Sequence, residues 1–320
     1  MADARLYFHS ACFDGCAAAA LALDVLESQW GWRDVELQPV NYDIRREWLH
    51  AIAGRFAVVD FLYHPAAAFW ADHHSSPFVN ADVEQHHRLR MGESALFDPS
   101  AASCAGILWR AFENVLRVRS PEYPDLVAWA DKIDSASYTS IEEALFSPVP
   151  AMVVSRSLVD ADAALMTALV RRLRRESLNS IANTPEIRAR SDHWLDEQQR
   201  GLSALEKVAR LSPDGIVLFE VDARQNAPSR YAPFYLFRDA RYSLGLLWTP
   251  VGPKLTAMRN PWLPFESVPL GDIFSRVGGG GHRRVGSVLL PNIGREHALA
   301  VMQRILSMIQ QPDREQYAGR

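Results

Sequence analysis

Short apolar runs and longer helical segments alternate along the first half of the chain. Residues 6–9 and 56–60 are short apolar runs that predict buried strands, and residues 35–42 predict another strand. The alanine-rich segment 16–27 and the apolar segment 104–116 predict helices. Strands that alternate with helices are typical of an α/β fold. We therefore expect a parallel sheet with helices on both of its faces.

Other segments carry weaker patterns. We expect a helix over 44–53, a helical turn over 66–70, and an irregular polar stretch over 77–94 in which His86 and His87 are solvated. The second half predicts the strands of an antiparallel or mixed sheet and a terminal helix. These elements are the strands 215–221, 231–237, 242–249, 254–259 and 287–290 and the helix 296–309.

The length of 320 residues indicates two domains, because one domain usually takes roughly 100 to 200 residues. Residues 160–210 are helical and charged and separate the two halves. We predict a first α/β domain over 1–190, a linker helix over 191–213 and a smaller α/β domain over 214–320. The arginine run 171–175 is interpreted as a solvated or interdomain face, and a basic groove wall for phosphates is the alternative.

Composition and charge narrow the class of protein. The net charge of −4 and the isoelectric point near 6.2 exclude a globally basic binder of long nucleic acid. The odd count of three cysteines argues against a disulfide framework. No apolar run reaches the ~20 residues that span a bilayer, and the first residues lead into a strand pattern and not a signal peptide. We expect a cytoplasmic protein without a membrane partner.

Acids and imidazoles follow the predicted strands. Asp60 closes an apolar run, and Asp72, His73 and His74 come shortly after it. Because the carboxyl ends of parallel strands meet at one edge of a sheet, we expect these side chains to converge there. Such a set of hard ligands predicts a metal-assisted hydrolytic site.

A second group of residues surrounds the first predicted turn. His9 and Asp14 lie on either side of it, and Gly15 permits a tight turn or a close backbone approach. A βα unit of this kind can present side chains and helix amides to an anion. The alternative is that His9 and Asp14 only cap the helix.

Two further features remain open from the residues alone. Asp131 ends an apolar stretch and is a candidate ligand, or else an ion-pair partner of Lys132 or a helix-terminal carboxylate; Asp134 follows as a less certain candidate. The glycine run 278–281, followed by His282, predicts an anion-binding backbone or a flexible hinge.

Taken in order, these motifs resemble the DHH phosphoesterase superfamily over nearly the whole chain. They are His9 to Gly15, Asp60, Asp72-His73-His74, Asp131 and the glycine run with His282. The superfamily includes RecJ exonucleases, nanoRNases, cyclic-dinucleotide phosphodiesterases and family II pyrophosphatases. The second half resembles the DHH-associated C-terminal domain.

The resemblance implies two Mn²⁺ or Mg²⁺ ions. Asp60 would bridge them, and Asp14, His73 and Asp131 would hold one ion, while His9 would hold the other. His74 would face the phosphate, with Asp72 orienting an imidazole from behind. For the substrate, the resemblance implies contacts from Arg259, Gly279, Gly280, Gly281 and His282.

One position departs from the superfamily pattern. Many members have Asp-x-Asp in the first motif, where this chain has Cys12-Phe13-Asp14. A thiolate is a softer donor that matches Mn²⁺ and Mg²⁺ poorly, so Cys12 puts the first metal position in doubt.

The resemblance implies hydrolysis of phosphodiester bonds in short oligonucleotides or small nucleotides by a metal-activated water. Two alternatives stay open: hydrolysis of phosphoanhydrides such as polyphosphate or pyrophosphate, and nucleotide binding without catalysis at a degenerate metal site. A homodimer is compatible with all three.

Overall fold

The computed structural model describes residues 4–50, 52, 54–90, 92, 94–225 and 227–310, without the side chain of His282. No helix within these residues is long and apolar enough to cross a membrane. The strands are β1 (Ala4–His9), β2 (Val35–Val40), β3 (Phe56–Val59), β4 (Phe69–Asp72), β5 (Ala95–Phe97), β6 (Arg210–Leu211), β7 (Ile216–Asp222), β8 (Tyr242–Thr249), β9 (Gly252–Arg259), β10 (Gly280–His282) and β11 (Val285–Leu289). The α-helices are α1 (Phe13–Trp30), α2 (Ala81–Leu89), α3 (Cys104–Arg119), α4 (Tyr123–Asp134), α5 (Ile141–Phe146), α6 (Pro150–Ser157), α7 (Ala163–Leu173), α8 (Leu178–Ala182), α9 (Pro185–Val208), α10 (Ala232–Leu236), α11 (Leu270–Ser275) and α12 (Arg295–Gln310).

Contacts between residues divide the chain into two compact units. The first contains the residues up to Tyr138 together with Pro148–Trp194, and the second contains Thr139–Ser147 together with the residues from Leu195 onward. The division falls inside α9, close to the predicted boundary at 190. It differs from the predicted domains in assigning Thr139–Ser147, with α5, to the second unit.

The first unit is built on a five-stranded sheet in the order β2-β1-β3-β4-β5. Every neighbouring pair in this sheet is parallel, which confirms the predicted parallel sheet. Parallel neighbours need crossover connections, and such sheets are normally covered on both faces.

Successive residues of the central strands enter two different cores. Leu6 and Phe8 of β1 pack with helices α1, α3, α4 and α7 on one face, while Tyr7 packs on the other face beside Trp48 and Phe61. This alternation follows from the two-residue period of a strand. Burial on both faces explains why the strands read as continuous apolar runs.

Two predicted helical segments of the first unit are wrong. The segment expected as a helical turn over 66–70 contains the start of β4, whose four residues are all buried. The segment expected as a helix over 44–53 begins with a 3-10 turn, Tyr42–Ile44, after which amides bond three residues back. Ala51 and Ala53 lie outside the described residues. The Trp48 indole donates to the Tyr63 carbonyl at 3.1 Å, a tertiary contact that outweighs local helix propensity.

The stretch predicted as irregular contains α2. Its N-cap is Asn80, whose side chain accepts a hydrogen bond from the amide of Val83. His87, predicted to be solvated, is buried among the rings of Tyr63, Trp70, Phe78 and Phe97. His87 lies one helical turn after Val83, so both side chains are on the apolar face of α2. The prediction treated the His pair as polar and did not take this periodicity into account.

The second unit is built on a six-stranded mixed sheet in the order β10-β11-β9-β8-β7-β6. All neighbours are antiparallel except β7 and β8. Helices α11 and α12 pack on one face through a core of apolar residues that includes Leu244, Leu255, Phe274 and Ile305. These features confirm the predicted smaller α/β domain with a mixed sheet.

The strand predicted over 231–237 is wrong. This segment contains α10, because β7 and β8 are parallel and the chain must cross over between them. Tyr231–Phe237 is rich in aromatic residues, which favour strands in isolation, so the local composition pointed to the wrong element.

The arginine run 171–175 is partly engaged inside the first unit. Arg174 donates to Asp24 at 2.5 and 2.9 Å, and Asp24 also accepts from the Tyr123 hydroxyl at 2.5 Å. Arg172 pairs with Glu176 at 2.7 Å within the same unit. At least half of the positive charge of this run is therefore neutralised within the unit.

Candidate metal centre

The carboxyl edge of the first sheet gathers the polar residues that follow its central strands. β1 ends at His9, Asp60 follows β3 directly, and β4 ends at Asp72 with His73 and His74 next in the chain. The strand order places β1 and β3 side by side at the point where the winding of the sheet changes direction. Open α/β sheets bind ligands in the crevice at such a point.

Asp60 lies at the centre of this cluster. It is fully buried and has a positive φ of 55°, a sparsely populated backbone conformation that Asp adopts more readily than most residues. Its Oδ2 lies 3.5 Å from His9 Nδ1, and its Oδ1 lies 3.5 Å from His73 Nε2. Within the described part of the chain, none of these four atoms has a hydrogen-bond partner. Buried polar atoms are seldom left in this state, and converging lone pairs are typical of metal ligands.

Asp14 is held at the beginning of α3. Its carboxylate accepts hydrogen bonds from the backbone amides of Cys104 at 2.7 Å and Ala105 at 2.9 Å. The positive end of the helix dipole and these two free amides suit a buried carboxylate. Asp14 thus caps α3, whereas the alternative drawn from the sequence had it cap the helix that it begins.

His73 is oriented by a hydrogen bond behind its ring. Its Nδ1 lies 3.2 Å from the carbonyl oxygen of Ala101, which can only accept, so Nδ1 carries a proton. Nε2 faces three carboxylates, at 3.7 Å from Asp14 Oδ2, 3.5 Å from Asp60 Oδ1 and 3.2 Å from Asp134 Oδ2. The bond to Ala101 is the supporting hydrogen bond that metal-binding histidines usually make.

His74 is oriented by a different partner. Its Nδ1 lies 2.7 Å from Asp72 Oδ1, and its backbone amide donates to the same oxygen at 3.3 Å. Asp72 is fully buried. A carboxylate behind an imidazole fixes its tautomer and raises its basicity, which is the arrangement expected of Asp72.

The two acids of α4 lie in different surroundings. Asp134, the last residue of the helix, reaches His73, whereas Asp131 accepts a hydrogen bond from the Ser103 hydroxyl at 2.5 Å. Ser103 in turn caps α3 by accepting from the amide of Gly106 at 2.8 Å. The structure therefore brings Asp134 to the cluster, and Asp131 supports the helix that holds Asp14.

Two sets of three residues in the described part of the chain have ligand atoms close enough to share an ion. One set is His9, Asp60 and His74, and the other is Asp14, His73 and Asp134; within each set the atoms lie within 4.8 Å of one another. Asp60 Oδ1 also lies beside His73, so this carboxylate faces both sets. Carboxylate oxygens with neutral imidazoles suit Mn²⁺, and the carboxylates alone also suit Mg²⁺.

The charges of the cluster perturb one another strongly. Burial favours a neutral Asp60, but the imidazoles of His73 and His9 outweigh it and hold the pKa of Asp60 well below its usual range. Burial, with the charges of Asp60 and Asp134, raises the pKa of Asp14 well above its usual value. Burial disfavours the charge on His73, yet Asp134 and Asp60 raise the pKa of His73 to about 11. The negative charge of the cluster thus favours bound protons on Asp14 and His73. A divalent cation would neutralise the same negative charge.

Cys12 lies immediately before α1 and belongs to neither set of three. Burial raises the pKa of its thiol well above the usual value, and the carboxylates of Asp60, Asp134 and Asp14 act in the same direction. A neutral thiol is a poor ligand for a hard cation. The set formed by His9, Asp60 and His74 does not depend on it.

The predicted substrate residues lie in the second unit, where Arg259 has partners. The Arg259 guanidinium donates to the carbonyl oxygens of Asn260, Leu263 and Phe265 at 2.9 to 3.0 Å and stacks over the Phe265 ring. Arg259 is therefore held against its own loop. The side chain of His282 lies outside the described residues.

The structure explains why three of the four residues in the run 278–281 are glycine. Gly278 and Gly281 have positive φ angles of 83° and 149°, and a β-carbon on Gly279 would lie 2.3 Å from the Ser287 carbonyl oxygen. Gly280 has open space around that position. The run thus forms an ordered edge hairpin with β11, and no part of it needs to be a hinge.

Sequence patterns alone did not single out two features of this site. The amides at the start of α3 hold Asp14, and the ring of Tyr42 contacts both His9 and His74. Ser103 directly precedes the predicted helix 104–116, and a serine at this position is a sequence signal for the first feature. The second had none, because Tyr42 ends a predicted strand, as many tyrosines do.

Comparison with known proteins identifies the fold. The chain is similar to the pGpG-specific phosphodiesterase PggH from Vibrio cholerae, with a TM-score of 0.71, 18% identity, and coverage of 95% of this chain and 99% of that one. The DHH domain of a protein assigned to a family of ribosomal proteins matches with a TM-score of 0.59 and 14% identity over 96% and 87% of the two chains. RecJ from Thermus thermophilus, solved with Mn²⁺, matches with a TM-score of 0.55 and 15% identity over 96% of this chain and 52% of RecJ.

No protein-family profile matches the sequence, and no curated protein is similar to it at a significant level. The structural matches span both units of the chain. The chain therefore has the fold of the DHH proteins with their C-terminal domain, and the predicted fold class is confirmed.

Proposed function

We propose that this protein is a metal-dependent phosphoesterase that hydrolyses phosphodiester bonds in short oligonucleotides or small nucleotides. One observation carries the proposal: the buried carboxylate of Asp60 points one oxygen at His9 and the other at His73, without hydrogen-bond partners for these atoms in the described residues. This arrangement suits a carboxylate that is shared by two cations. Pairs of cations commonly catalyse in-line displacement at phosphorus, because they stabilise both the attacking and the leaving oxygen.

The donor sets fit two ions of the Mn²⁺ or Mg²⁺ type. His9, Asp60 and His74 would hold one, and Asp14, His73 and Asp134 would hold the other. Ions of this kind supply an activated water and neutralise the charge on a phosphate. The RecJ structures with Mn²⁺ and with Mg²⁺ support the choice of ion.

The residues of the chain supply the orientation. The amides of α3 keep Asp14 directed at the cluster, and the Ala101 carbonyl keeps the free electron pair of His73 on Nε2. Asp72 holds a proton on Nδ1 of His74, which leaves the free electron pair of the neutral ring on Nε2. His74 is 26% exposed at its side chain, so it can face a phosphate from the rim of the cluster. These contacts support the predicted catalytic roles of His74 and Asp72.

The substrate class rests on the relatives. PggH is by its name specific for pGpG, a linear dinucleotide, and the match covers 99% of its chain. The acidic net charge of this chain also favours a short substrate over a long nucleic acid.

The test is a panel of substrates with each metal ion at equal enzyme concentration. We expect Mn²⁺-dependent release of mononucleotides from pGpG and no comparable turnover of polyphosphate or pyrophosphate. Asp60→Asn should lower kcat more than about 100-fold, because even groups behind metal ligands usually contribute about 10- to 100-fold. Asp125→Asn, which removes an exposed carboxylate of α4, is the matched control and should keep wild-type activity.

Three results would overturn the proposal. Full activity of Asp60→Asn would remove its basis. Faster turnover of polyphosphate than of pGpG would replace it with a phosphoanhydride hydrolase. Nucleotide binding without turnover in Mn²⁺, Mg²⁺, Co²⁺ or Zn²⁺ would leave a binding protein.

A further inference from the structure

Tyr42 is an exposed aromatic residue at the rim of the candidate metal centre. Its ring lies 5.4 Å from the His9 ring and 6.3 Å from the His74 ring, edge to face with both. It is 37% exposed, whereas Phe61 behind it is fully buried. Tyr42 therefore contacts both imidazoles of one donor set and still presents part of its ring to solvent.

Tyr42 is held in place by one contact of its backbone and one contact of its ring. Its backbone amide donates to the Asn41 side chain at 2.7 Å, which starts the 3-10 turn after β2. Its ring packs against Phe61 at 5.0 Å. A rigid aromatic ring loses little conformational entropy when a ligand stacks on it.

Single exposed aromatic residues are common and need no explanation in general. Tyr42 differs because of its neighbours. In a nucleotide, one sugar separates the base from the phosphate. If the phosphate lies against His9 and His74, the base can therefore reach a residue next to them at the rim, such as Tyr42. Protein aromatic rings that bind single strands without sequence preference do so by stacking on bases.

We propose that Tyr42 is a specificity-determining residue whose exposed ring stacks on the base of the nucleotide next to the scissile phosphate. This inference rests on the proposed function, because it takes its phosphate position from the donor set of His9, Asp60 and His74. It predicts a preference for base-bearing phosphodiesters over phosphodiesters that lack a base at that position.

The experiment compares two phosphorothioate-linked probes in Mn²⁺: pGpG and a dinucleotide in which tetrahydrofuran groups replace both nucleosides. Dissociation constants are measured by calorimetry for the wild type, Tyr42→Leu, Tyr42→Phe and Trp30→Leu. Leucine keeps bulk against the imidazoles but lacks a π-face, and phenylalanine keeps the π-face. Trp30 has the same exposed fraction of 37% and lies at the other end of α1 from Asp14, roughly 24 Å along the helix, so it is the matched control.

We expect Tyr42→Leu to weaken binding of the pGpG probe about 10-fold, since stacking contributes about 1–3 kcal/mol per base. The abasic probe should change less than about 2-fold, as should both probes with Tyr42→Phe and Trp30→Leu. Equal losses for both probes would show that Tyr42 only positions the imidazoles. An unchanged Tyr42→Leu, a Tyr42→Phe as weak as Tyr42→Leu, or a wild type that binds neither probe would also overturn the inference.

Failure of the proposed function has a separate signature. A wild type that binds the pGpG probe but does not hydrolyse pGpG itself would contradict the phosphoesterase activity. The change that Tyr42→Leu makes in the ratio of the two dissociation constants would still decide whether the base stacks on Tyr42.

Discussion

The α-carbon of Gly15 faces the carbonyl oxygen of His9 so closely that a β-carbon on Gly15 would lie 2.2 Å from that oxygen. The contact joins the first turn of α1 to the end of β1. It sets the distance between His9 and Asp14, which belong to different donor sets. The requirement for glycine here is one of space, which is the close backbone approach and not the tight turn that the sequence also allowed.

Gly15→Ala should therefore disturb both stability and metal binding. The helix must move away from β1, and overpacking of this kind usually costs about 1–3 kcal/mol. We expect a lower urea midpoint and a weaker Mn²⁺ affinity by calorimetry. Gly294→Ala is the control, since its β-carbon would meet open space. A Gly15→Ala protein with wild-type stability and metal affinity would show that the close approach is unimportant.

Asp134 and Asp131 give a second prediction, because the sequence favoured Asp131 and the geometry favours Asp134. Asp134→Asn should weaken Mn²⁺ binding and lower kcat more than about 10-fold, since this carboxylate lies 3.2 Å from His73 Nε2. Asp131→Asn should mainly reduce stability, by about 1 kcal/mol, through its bond to Ser103. Calorimetric metal titrations of both variants give the order, and a larger metal defect in Asp131→Asn would restore the original assignment.

The third prediction concerns pH and the metal-free protein. The pKa of His73 is raised to about 11 by Asp134 and Asp60, against the opposing effect of burial. A raised pKa means that the folded state binds more protons between the unfolded value of 6.5 and about pH 11. The stability that His73 contributes is thus complete below about pH 6.5 and is lost as pH rises toward 11.

Urea unfolding in EDTA at about pH 6.5 and about pH 9.5 measures this effect. The free energy of unfolding should fall more between these values for the wild type than for His73→Gln. A divalent metal requires the neutral ring, so Mn²⁺ affinity should rise with pH and binding should release protons. Equal pH slopes for the two proteins, or metal binding without proton release, would contradict the prediction.

The fourth prediction separates two neighbouring glycines in β10. Gly281→Ala should destabilise the protein by about 1–3 kcal/mol, because Gly281 has a φ of 149° and its β-carbon would lie 2.2 Å from the Val285 carbonyl oxygen. Gly280→Ala should leave the urea midpoint unchanged, since nothing lies within 4 Å of its β-carbon. A loss of pGpG affinity in Gly280→Ala at unchanged stability would support the predicted role of the run in substrate binding. Equal destabilisation by both variants would contradict the assignment.

Several conclusions followed from the sequence alone. The apolar runs that end in His9 and Asp60 predicted parallel strands whose carboxyl edge carries the site, because burial on both faces leaves continuous apolar residues. The order of the motifs predicted the DHH fold, which the structural matches confirm. The roles of the individual site residues, the cytoplasmic location and a homodimer stay predictions.

Tertiary structure decided the rest. Asp131 and Asp134 lie three residues apart on one helix, and only the placement of α4 against the sheet determines which carboxylate reaches His73. Asp14 meets the amides of α3 across 90 residues of chain, a contact that no local pattern encodes. Periodicity and propensity act over a few residues, whereas the position of a ligand within a few tenths of an ångström depends on how distant elements pack. For that reason the sequence was sufficient to predict the fold, and only packing determines which side-chain atoms lie together at the carboxyl edge of the sheet.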